Sequence, residues 1–433
     1  MKITVIGTGF VGVVTAAVYA SFGHEVFGLD IDANKIAKLK NAQVPFYEPQ
    51  LEELLKKTQT KGWLHFTDNY REAVADSEVI VIAVGTPSNQ DGSVNLDYLH
   101  SAIDSMIPYL KEKVIVVVKS TVPPGTFADL AERIKSQTQV AFELASVPEF
   151  LREGTAVQDT LNPDRVVIGT TSQSAFTVLE SLHKPLKAPI IKTNPESAQL
   201  SKYTANAYLA TRITFINQIA DLCEKSGADV EEVIRVIGLD KRIGSHYWYP
   251  GPGYGGSCFP KDVKELAHYS IKAGEVDNLF VKIDQLNEKR LGKLFLSYEQ
   301  LVGGFKDKQV AVLGLAFKPD TDDMREAPSL QFIPKLIKAG AKVMGFDPVA
   351  MNNAQNVFQT EIEANQLSLT GSVLEACQGA DVILLLVEWP EFISFDYGLV
   401  RDTHKKQWLI DTRNRLPREK VKNLGFVYRG IGA

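Results

Sequence analysis

The chain has few cysteines and no long apolar run. Its 433 residues include three cysteines, Cys223, Cys258 and Cys377, which are odd in number and far apart. This distribution argues against a disulfide framework and favours a reducing compartment, so we predict a cytoplasmic protein. The longest apolar runs, such as Val382 to Val387, are far too short to span a bilayer, and the first residues have the pattern of a strand rather than of a signal peptide. We therefore expect no membrane insertion.

Positive charge is not in excess either, and metal-ligand spacings are absent from the sequence. The chain has 47 Lys and Arg against 52 Asp and Glu, a formal net charge of −5, which gives no basic footprint for nucleic acid. None of the seven histidines lies in a spacing such as HxxxH, and no cysteine pair completes a zinc site. We predict neither a nucleic-acid partner nor a metal. With 45% hydrophobic residues, the chain is an ordinary globular protein long enough for two or three domains.

A dinucleotide-binding pattern opens the chain. The β-branched run Ile3 to Ile6 leads into a glycine-rich turn, then into small residues at helical spacing and a second strand, Glu25 to Leu29. In such a βαβ unit Gly7 permits the tight turn, Gly9 lets the backbone approach a pyrophosphate, and Gly12 allows close helix–strand packing. The helix N-terminus then faces the phosphates. The turn follows a strand and opens a helix, which is the context that gives this short motif its specificity.

An acidic residue completes the pattern. Asp30 follows the second strand, 23 residues after the first glycine, where a carboxylate accepts hydrogen bonds from both ribose hydroxyls and repels a 2′-phosphate. We therefore predict NAD as cofactor rather than NADP. Further strands, Val79 to Val84 and Val114 to Val118, are followed by Thr86 and Thr121. These threonines either face the cofactor, because ligands bind at the carboxyl ends of such strands, or cap the turns that follow.

The same pattern recurs late in the chain. Gly23 to Asp30 is echoed by Gly340 to Asp347, and Val79 to Pro87 by Val382 to Pro390, which indicates a degenerate nucleotide-binding repeat. Its first strand, Val310 to Leu313, enters a turn without the later glycines. Such a site suits a phosphorylated ligand other than the dinucleotide, unless its cations are only solvated surface charges. The cations in question are Lys318, Arg325 and Arg413.

A long helix is predicted between the two repeats. Glu196 to Lys225 contains no glycine or proline and has apolar residues at helical spacing. We expect it to connect the domains and to supply a dimer face. Lys202 and Asn206 lie one turn apart on one face, where they either stabilise an oxyanion together or are ordinary exposed side chains.

These patterns predict an α/β protein with two doubly wound, Rossmann-like domains joined by a long central helix and a helical dimerisation domain. We place an NAD-binding domain at residues 1–195, the central domain at 196–300 and a second nucleotide-type domain at 301–433.

The segment Gly253 to Asp262 is the strongest indication of chemistry. Its glycines lead into a predicted helix that has Pro260 in the first turn, so Cys258 lies at a helix N-terminus. The helix dipole and nearby Lys261 favour a nucleophilic thiolate, and Asp262, one turn on, can orient or deprotonate a water beside the sulfur. The alternative is a buried structural cysteine beside a surface Lys–Asp pair. The other two cysteines have no such surroundings, and we expect inert core residues there.

Together these segments resemble the UDP-glucose/GDP-mannose dehydrogenase family over almost the whole chain. The matching motifs are Gly7 to Gly12, Val84 to Pro87, Ser120 to Thr126, Pro148 to Gly154, Lys202 to Asn206, Gly255 to Asp262, Phe317 to Thr321 and Arg325 with Glu326. The resemblance implies that a nucleotide sugar is oxidised twice at its C6 alcohol, with two NAD molecules as hydride acceptors, and ends as a uronate. It also implies that residues 301–433 bind a UDP-sugar.

The resemblance further implies catalytic roles at matching positions. The cysteine would capture the aldehyde as a thiohemiacetal that is oxidised to a thioester. The lysine and the asparagine would stabilise oxyanions, the aspartate would assist proton transfer through water, and the glutamate and the threonine would place or activate water. Which carboxylate acts as base in each half-reaction stays open. The implied catalytic residues are Cys258, Lys202, Asn206, Asp262, Glu149 and Thr121.

Binding residues are implied in the same way. The cofactor residues are Gly7, Gly9, Val11, Gly12, Asp30, Lys35, Thr86, Thr121, Glu153, Lys261 and Arg325. The substrate residues are Glu149, Phe150, Leu151, Arg152, Glu153, Lys202, Asn206, Arg242, Tyr247, Tyr249, Gly251, Gly255, Phe259, Phe317 and Lys318. By the resemblance, Arg242 reaches the sugar of a neighbouring subunit, which implies a homodimer.

Three sugar nucleotides are compatible with this chemistry, and two segments favour one of them. The segments around Cys258 and Lys202 are more similar to the UDP-glucose branch of the family, whereas GDP-mannose and a UDP-N-acetylhexosamine would undergo the same chemistry. Two other functions are disfavoured. A non-catalytic NAD-binding sensor would not require Cys258, Asp262, Lys202 and Asn206 together, and an alcohol dehydrogenase that carries out a single oxidation would not require Cys258.

Overall fold

The computed structural model describes residues 1–432. It divides into two compact units. The first consists of residues 1–205 with 264–276, and the second of residues 206–263 with the chain from 277 onward. Each unit is built on its own sheet.

The first unit contains an eight-stranded sheet with the order β3-β2-β1-β4-β5-β6-β7-β8. All neighbouring strands are parallel except β6 and β7. Val5 of β1 pairs with Gly28 of β2 on one side and with Val81 of β4 on the other, so the strand order reverses at β1. A crevice at such a reversal is where doubly wound sheets bind ligands. The strands β1 to β8 are Lys2–Ile6, Glu25–Leu29, Leu64–Thr67, Val79–Ile82, Val114–Val118, Phe142–Ser146, Val166–Gly169 and Ile190–Thr193.

Both faces of this sheet are covered, which explains why its strands are apolar throughout. Val79 and Val81 belong to one core cluster, whereas Ile80 and Ile82, between and beyond them, belong to another. Alternate side chains of one strand therefore support opposite layers. The covering helices α1 to α8 are Phe10–Ser21, Ala33–Lys40, Leu51–Thr60, Tyr70–Val74, Asp97–Met106, Thr126–Gln137, Ala156–Leu161 and Gln173–His183.

Four helices follow, three of which are longer than any in the first group. The predicted long helix is confirmed as α9, Pro195–Ser226, which starts at a proline and runs for 32 residues. The chain passes from the first unit into the second within this helix. After it come α10, Val230–Gly238, then α11, Phe259–Lys272, and α12, Leu279–Val302.

The second unit contains a six-stranded parallel sheet with the order β11-β10-β9-β12-β13-β14. This order is the same as that of the first six strands of the other sheet, so the predicted repeat is confirmed and with it the doubly wound α/β class. Its strands β9 to β14 are Gln309–Leu313, Lys342–Phe346, Leu367–Leu369, Val382–Leu385, Trp408–Asp411 and Val427–Arg429. Its helices α13 to α18 are Ser329–Lys338, Met351–Val357, Gln359–Glu363, Val373–Cys377, Pro390–Ser394 and Arg418–Asn423.

The two repeats differ at the aspartate that follows the second strand. Asp347 is completely buried, and its Oδ2 accepts hydrogen bonds from the backbone of Leu315 at 2.8 Å and of Ala316 at 3.2 Å. The indole of Trp389 donates to the same oxygen at 3.3 Å. Because it is completely buried, this carboxylate serves the fold. The turn that it binds is equivalent to the glycine-rich turn of the first repeat.

The strand β4 is shorter than predicted. We expected a strand over Val79 to Val84, whereas β4 ends at Ile82. In the second sheet β12 ends at Leu385, while Leu386 and Val387 beyond it are fully buried. Over residues 1–432, no helix combines the length and apolarity needed to cross a bilayer.

Candidate active site

The turn between β1 and α1 has the geometry of a pyrophosphate-binding loop. Gly7 has φ +92°, and a side chain there would lie 2.7 Å from the carbonyl oxygen of Ala83. A side chain on Gly12 would lie 1.8 Å from the oxygen of Gly7, whereas the space around Gly9 is open to 4 Å. Gly9 immediately precedes α1, and Val11 lies half-buried in its first turn. An anion can therefore approach the backbone at Gly9.

Asp30 occupies the place expected for the ribose-binding acid. Its Oδ2 accepts hydrogen bonds from the backbone N and the hydroxyl of Thr8, both at 2.8 Å, and pairs with Lys35 Nζ at 2.9 Å. Burial favours a higher pKa for this carboxyl, but the hydrogen bonds from Lys35, Thr8 and Asp32 outweigh burial and lower its pKa. A charged carboxylate at the end of β2 fits NAD.

Three polar residues follow β4 and β5. Thr86 is buried and Thr121 is half-buried, and neither hydroxyl forms a hydrogen bond within residues 1–432, so neither caps its turn there. Lys119, which the sequence analysis did not assign to the site, is 8% exposed. Burial lowers its pKa to about 8, with nearby Glu149 opposing this shift and Lys202 adding to it. Its position directly after a buried strand was the available signal.

Glu149 and Lys202 form a buried ion pair. Lys202 Nζ lies 2.8 Å from Glu149 Oε1, and the two side chains are 4% and 7% exposed. The other carboxylate oxygen of Glu149 accepts a hydrogen bond from the backbone of Leu151 at 2.8 Å. The ring of Phe150 has the Arg165 guanidinium 3.7 Å from its centroid and Lys202 Nζ at 5.6 Å. The predicted sugar-lining segment is therefore held tightly by its own residues and by α9.

The remainder of that segment is fixed by acids outside it. Arg152 forms a bidentate pair with Asp159, at 2.9 and 2.8 Å, and Glu153 is buried. Glu48 is 6% exposed and accepts hydrogen bonds from the backbone of Gly154 and from the first residue of α7, both at 2.7 Å. The sequence analysis missed Glu48, because an acid in a loop some hundred residues away gives no signal of what it binds.

Cys258 lies at the N-terminus of α11, as predicted. It directly precedes Phe259, the first helical residue, and its carbonyl accepts the backbone N–H of Asp262 at 3.0 Å. Asp262 is completely buried. Its Oδ2 accepts from Asn206 Nδ2 at 2.6 Å and its Oδ1 from Lys261 Nζ at 2.5 Å. The first turn of α11 thus places a half-buried thiol beside a buried, doubly bound carboxylate.

The other two cysteines are buried, as predicted. Burial raises the pKa of the Cys223 thiol, and it raises that of Cys377 to about 12. Both thiols therefore stay protonated and unreactive near neutral pH.

The chain before Cys258 forms a constrained loop. Tyr247 has φ +62° and its ring centroid lies 5.6 Å from that of Tyr249. Gly251 is buried, and a side chain on Gly255 would lie 2.3 Å from the carbonyl oxygen of Glu326. Only a glycine therefore fits at Gly255, where the loop passes close to the backbone of Glu326.

The predicted cations of the second repeat have well-defined neighbours. Lys318 Nζ lies 5.6 Å from the ring centroid of Phe317. Arg325 forms a bidentate pair with Asp323, at 2.9 and 2.7 Å. Arg413 donates hydrogen bonds to the carbonyl oxygens of Leu386 at 2.7 Å and of Phe317 at 3.2 Å.

Arg242 projects from the surface of the second unit. Its side chain is 88% exposed and pairs with Asp240 at 2.6 Å. Within residues 1–432 no cluster of three His, Cys, Asp or Glu residues is arranged to hold a metal ion.

The chain matches, along its length, the three domains of one family. Residues 1–187 match the NAD binding domain of the UDP-glucose/GDP-mannose dehydrogenase family, residues 196–289 its central domain and residues 311–418 its UDP binding domain. The prediction of NAD as cofactor is thereby confirmed, and so is the prediction of a UDP-sugar as ligand of the second repeat.

Individual relatives agree with this match. The UDP-glucose 6-dehydrogenase TuaD of Bacillus subtilis (strain 168) is 41% identical over 434 residues, covering 100% of this chain and 93% of that protein. A UDP-glucose 6-dehydrogenase of Rhizobium meliloti (strain 1021) is 42% identical, covering 100% and 99%. Among solved structures, a UDP-glucose dehydrogenase from Pyrobaculum islandicum is similar with a TM-score of 0.91, at 35% identity and with 99% and 97% of the two chains covered.

A UDP-D-ManNAc dehydrogenase from Pyrococcus horikoshii has a TM-score of 0.86 at 29% identity, with 100% and 99% covered. The glycine-rich turn, the charged Asp30 and the thiol at the start of α11 therefore belong to an NAD-dependent dehydrogenase, and the chain is a member of the UDP-glucose/GDP-mannose dehydrogenase family.

Proposed function

We propose that this chain oxidises the C6 alcohol of UDP-glucose twice and releases UDP-glucuronate. The observation that carries the proposal is the placement of Cys258 at the start of α11, one turn before a fully buried Asp262. An alcohol dehydrogenase that stops at the aldehyde needs no such thiol. The relatives at about 40% identity, which are UDP-glucose 6-dehydrogenases, support this choice of sugar.

The first repeat would hold the cofactor. The open backbone at Gly9 and the N-terminus of α1 suit the pyrophosphate, and Asp30 with Lys35 suits the adenosine ribose. NAD, when bound, supplies the hydride acceptor for both oxidations. Further residues assigned to the cofactor are Val11, Thr86, Thr121, Glu153, Lys261 and Arg325.

The thiolate of Cys258 would hold the sugar between the two oxidations. After the first hydride leaves, the sulfur attacks the aldehyde carbon, and the carbonyl oxygen becomes the oxyanion of a thiohemiacetal. Loss of the second hydride from that carbon gives a thioester. Water then adds to the thioester, the C–S bond breaks, and the thiolate is restored as the carboxylate forms. Asp262 would assist the proton transfer from this water.

Cations and amides near the reacting oxygen would lower the barriers. We assign oxyanion stabilisation to Lys202 and Asn206, one turn apart on α9, and the placing of water to Glu149 and Thr121. Each donor is already oriented, because Lys202 is held by Glu149 and Asn206 by Asp262, at 2.8 and 2.6 Å. Preorganised donors cost little rearrangement when charge develops.

The sugar nucleotide would be bound by the segments that the family resemblance assigns to it. We assign Glu149 to Glu153 to the sugar, and the backbone of the loop before Cys258 to its surroundings. The remaining assigned substrate residues are Tyr247, Tyr249, Gly251, Gly255, Phe259, Phe317 and Lys318.

We further propose a homodimer built on residues 196–300, with Arg242 reaching the neighbouring subunit's sugar. Tyr208, Phe215 and Leu222 are 58%, 51% and 59% exposed and recur every seven residues on α9, which forms an apolar stripe along one face of the helix. The guanidinium of Arg242 is exposed within its own chain.

The cytoplasmic location predicted from the cysteines stays a prediction.

A panel of sugar nucleotides tests the substrate. Purified enzyme is given UDP-glucose, GDP-mannose or a UDP-N-acetylhexosamine with excess NAD, and NADH is counted per sugar consumed. We expect two NADH per UDP-glucose. The alternative, the same chemistry on another sugar, has support from the similarity to the UDP-D-ManNAc dehydrogenase. Turnover of another sugar without turnover of UDP-glucose would favour that alternative, and one NADH per sugar would contradict the twofold oxidation.

The role of the thiol is tested by Cys258→Ser. We expect kcat to fall by roughly 10³-fold or more, because a neutral hydroxyl replaces the nucleophile, while NAD and UDP-glucose bind as before. Turnover should stop at a bound intermediate. Cys223→Ala is the matched control, since that buried thiol should not react, and it should retain two NADH per sugar. Full activity of Cys258→Ser would overturn the covalent mechanism.

A further inference from the structure

Two side chains outside the predicted site bind both polar groups of Gly251, seven residues before Cys258. Asn217 of α9 accepts the backbone N–H of Gly251 through Oδ1 at 2.8 Å, and Arg290 of α12 donates from Nε to the Gly251 carbonyl oxygen at 3.0 Å. Asn217 is 3% exposed and Arg290 4%. Hydrogen bonds at such depth exclude water and are costly to break.

A third side chain does the same for Tyr254. Asn287 of α12 accepts the Tyr254 N–H through Oδ1 at 2.9 Å and donates from Nδ2 to the Tyr254 carbonyl oxygen at 3.0 Å. Gly253, between the two bound residues, has φ +106°, and a side chain there would lie 2.4 Å from the Asn287 oxygen. The glycine therefore allows the asparagine to approach the backbone this closely.

The binding side chains are themselves fixed. Arg290 Nη1 donates to Asp221 Oδ1 at 2.6 Å, and Lys293, one turn further along α12, pairs with the other oxygen of Asp221. Asp221 lies one turn beyond Asn217 on α9. The loop is thus bound to two long helices that are also linked to each other.

Helix α9 contacts the cysteine segment on both sides of the sulfur. Asn217 binds Gly251 before Cys258, and Asn206 binds Asp262 after it. The two asparagines are eleven residues apart on one helix, a separation of about 16 Å along the axis. The helix therefore sets the distance between the two ends of the segment in which Cys258 lies.

We propose that Asn217, Asn287 and Arg290 are positioning residues of the reaction, which hold the loop from Gly251 to Tyr254 so that the Cys258 sulfur stays within attack distance of the sugar carbon. The inference rests on the proposed function, because it assigns these residues to the placing of that thiol. A loop with four glycines between Gly251 and Gly256 has many conformations to lose. Rates of attack fall steeply when a nucleophile is misplaced by about 1 Å.

The test uses Asn287→Ala in the full-length enzyme. We expect kcat with UDP-glucose to fall by roughly 10- to 100-fold and the KM for UDP-glucose to change by less than about threefold. Asn287→Asp keeps the acceptor for the Tyr254 N–H and loses the donor, so its kcat should lie between those of Asn287→Ala and the wild type. Arg290→Lys, which loses the planar guanidinium that binds Gly251 and Asp221 through two separate nitrogens, should lower kcat in the same way.

Lys293→Ala is the matched control, because Lys293 shares Asp221 and lies on the same helix but has no bond to the loop. It should keep kcat and KM within about twofold of the wild type. NAD affinity and the thermal unfolding midpoint identify any variant that is simply misfolded. A kcat of folded Asn287→Ala within about twofold of the wild type would overturn the proposal.

A second measurement needs no sugar and separates this inference from the proposed function. Iodoacetamide alkylation of Cys258, followed by mass spectrometry, should be at least about threefold faster in Asn287→Ala than in the wild type or Lys293→Ala, because the released loop exposes the half-buried sulfur. Equal alkylation rates would overturn the positioning role even if UDP-glucose is not the substrate. If the wild type does not turn over UDP-glucose but the alkylation rates differ as expected, only the proposed function is contradicted.

Discussion

Two aspartates in equivalent places of the repeats have different partners. Asp30 pairs with Lys35 and binds Thr8, whereas Asp347 is enclosed by backbone N–H groups and an indole. The surroundings of the carboxylate, rather than its place in the sequence, decide whether it can bind a ribose.

This difference supports a prediction about cofactor choice. We expect Asp30→Ala to lower the ratio of kcat/KM for NAD to that for NADP by about tenfold or more, because the repulsion of a 2′-phosphate is removed. Asp347→Ala should instead lower the thermal unfolding midpoint and leave the ratio unchanged. Steady-state assays with both cofactors check the first expectation, and an unchanged ratio in Asp30→Ala would contradict it.

A buried histidine predicts how stability depends on pH. His183 Nδ1 lies 2.7 Å from the carbonyl oxygen of Leu179, so Nδ1 carries the proton and Nε2 accepts from the Tyr19 hydroxyl at 2.8 Å. Burial lowers the pKa of His183 from 6.5 to about 4. Between these values the unfolded chain binds more protons than the folded one, so the free energy of unfolding falls as the pH drops from 6.5 through about 4.

Titration of His183 alone should lower the free energy of unfolding by about 3 kcal/mol as the pH falls from 6.5 to about 4. In His183→Gln the loss between pH about 7 and about 5 should be smaller, because no buried imidazole has to be charged. Urea unfolding at several pH values measures it, with the exposed His246→Gln as control. A pH dependence of His183→Gln as steep as that of the wild type would show that His183 is not the titrating group.

The sequence grouped candidate site residues by the helix face they share, and the structure gives them other partners. Lys202 with Asn206, and Cys258 with Asp262, were grouped because residues one turn apart share a helix face. In the structure Lys202 pairs with Glu149, and Asn206 pairs with Asp262. Spacing along one helix predicts which way a side chain faces, whereas its partner comes from another segment that the same pattern does not describe.

Two glycines between β1 and the first turn of α1 have different roles: Gly12 is needed for the fold, and Gly9 for binding the cofactor. Gly9→Ala has room for its methyl group, so the protein should fold normally but bind NAD roughly tenfold more weakly or worse, because the methyl group occupies the path of the pyrophosphate. Gly12→Ala places its methyl group 1.8 Å from the Gly7 oxygen and should lower the unfolding midpoint by several degrees.

Calorimetric titration with NAD and thermal unfolding of both variants check these expectations. Normal NAD affinity in Gly9→Ala would mean that the pyrophosphate does not approach this turn.

Strands and helices were predicted with unequal accuracy. The predicted span of α9 differs from the observed one by one residue at each end, because Pro195 starts the helix and a continuous apolar pattern defines the rest. β4 ends two residues earlier than predicted, since a run of apolar residues indicates burial and not strand pairing. The hydrogen bonds that hold Gly251 and Tyr254 could not be predicted. Asn217, Asn287 and Arg290 bind backbone N–H and C=O groups, which nearly every residue has, so the sequence does not indicate which residues they bind.

The proposed dimer predicts that two inactive variants restore each other. If Arg242 acts in the neighbouring subunit's site, a dimer of one Arg242→Ala chain and one Cys258→Ser chain has one site with both changes and one site with neither. Subunits mixed in equal amounts and allowed to exchange should recover about a quarter of wild-type activity. Activity no higher than the sum of the two variants would show that Arg242 serves its own chain.

The enclosed Asp347 has a consequence for the timing of the reaction. Because Asp347 is completely buried, the second repeat has no acid available for a ribose in the described chain, and under the proposed function the first repeat would serve both oxidations. Under the proposed mechanism, the first repeat would have to exchange NADH for NAD between the two oxidations. The bond to the Cys258 sulfur would keep the sugar in place during this exchange, so the sensitivity of the enzyme to accumulated NADH would be set by how fast the first repeat replaces its cofactor.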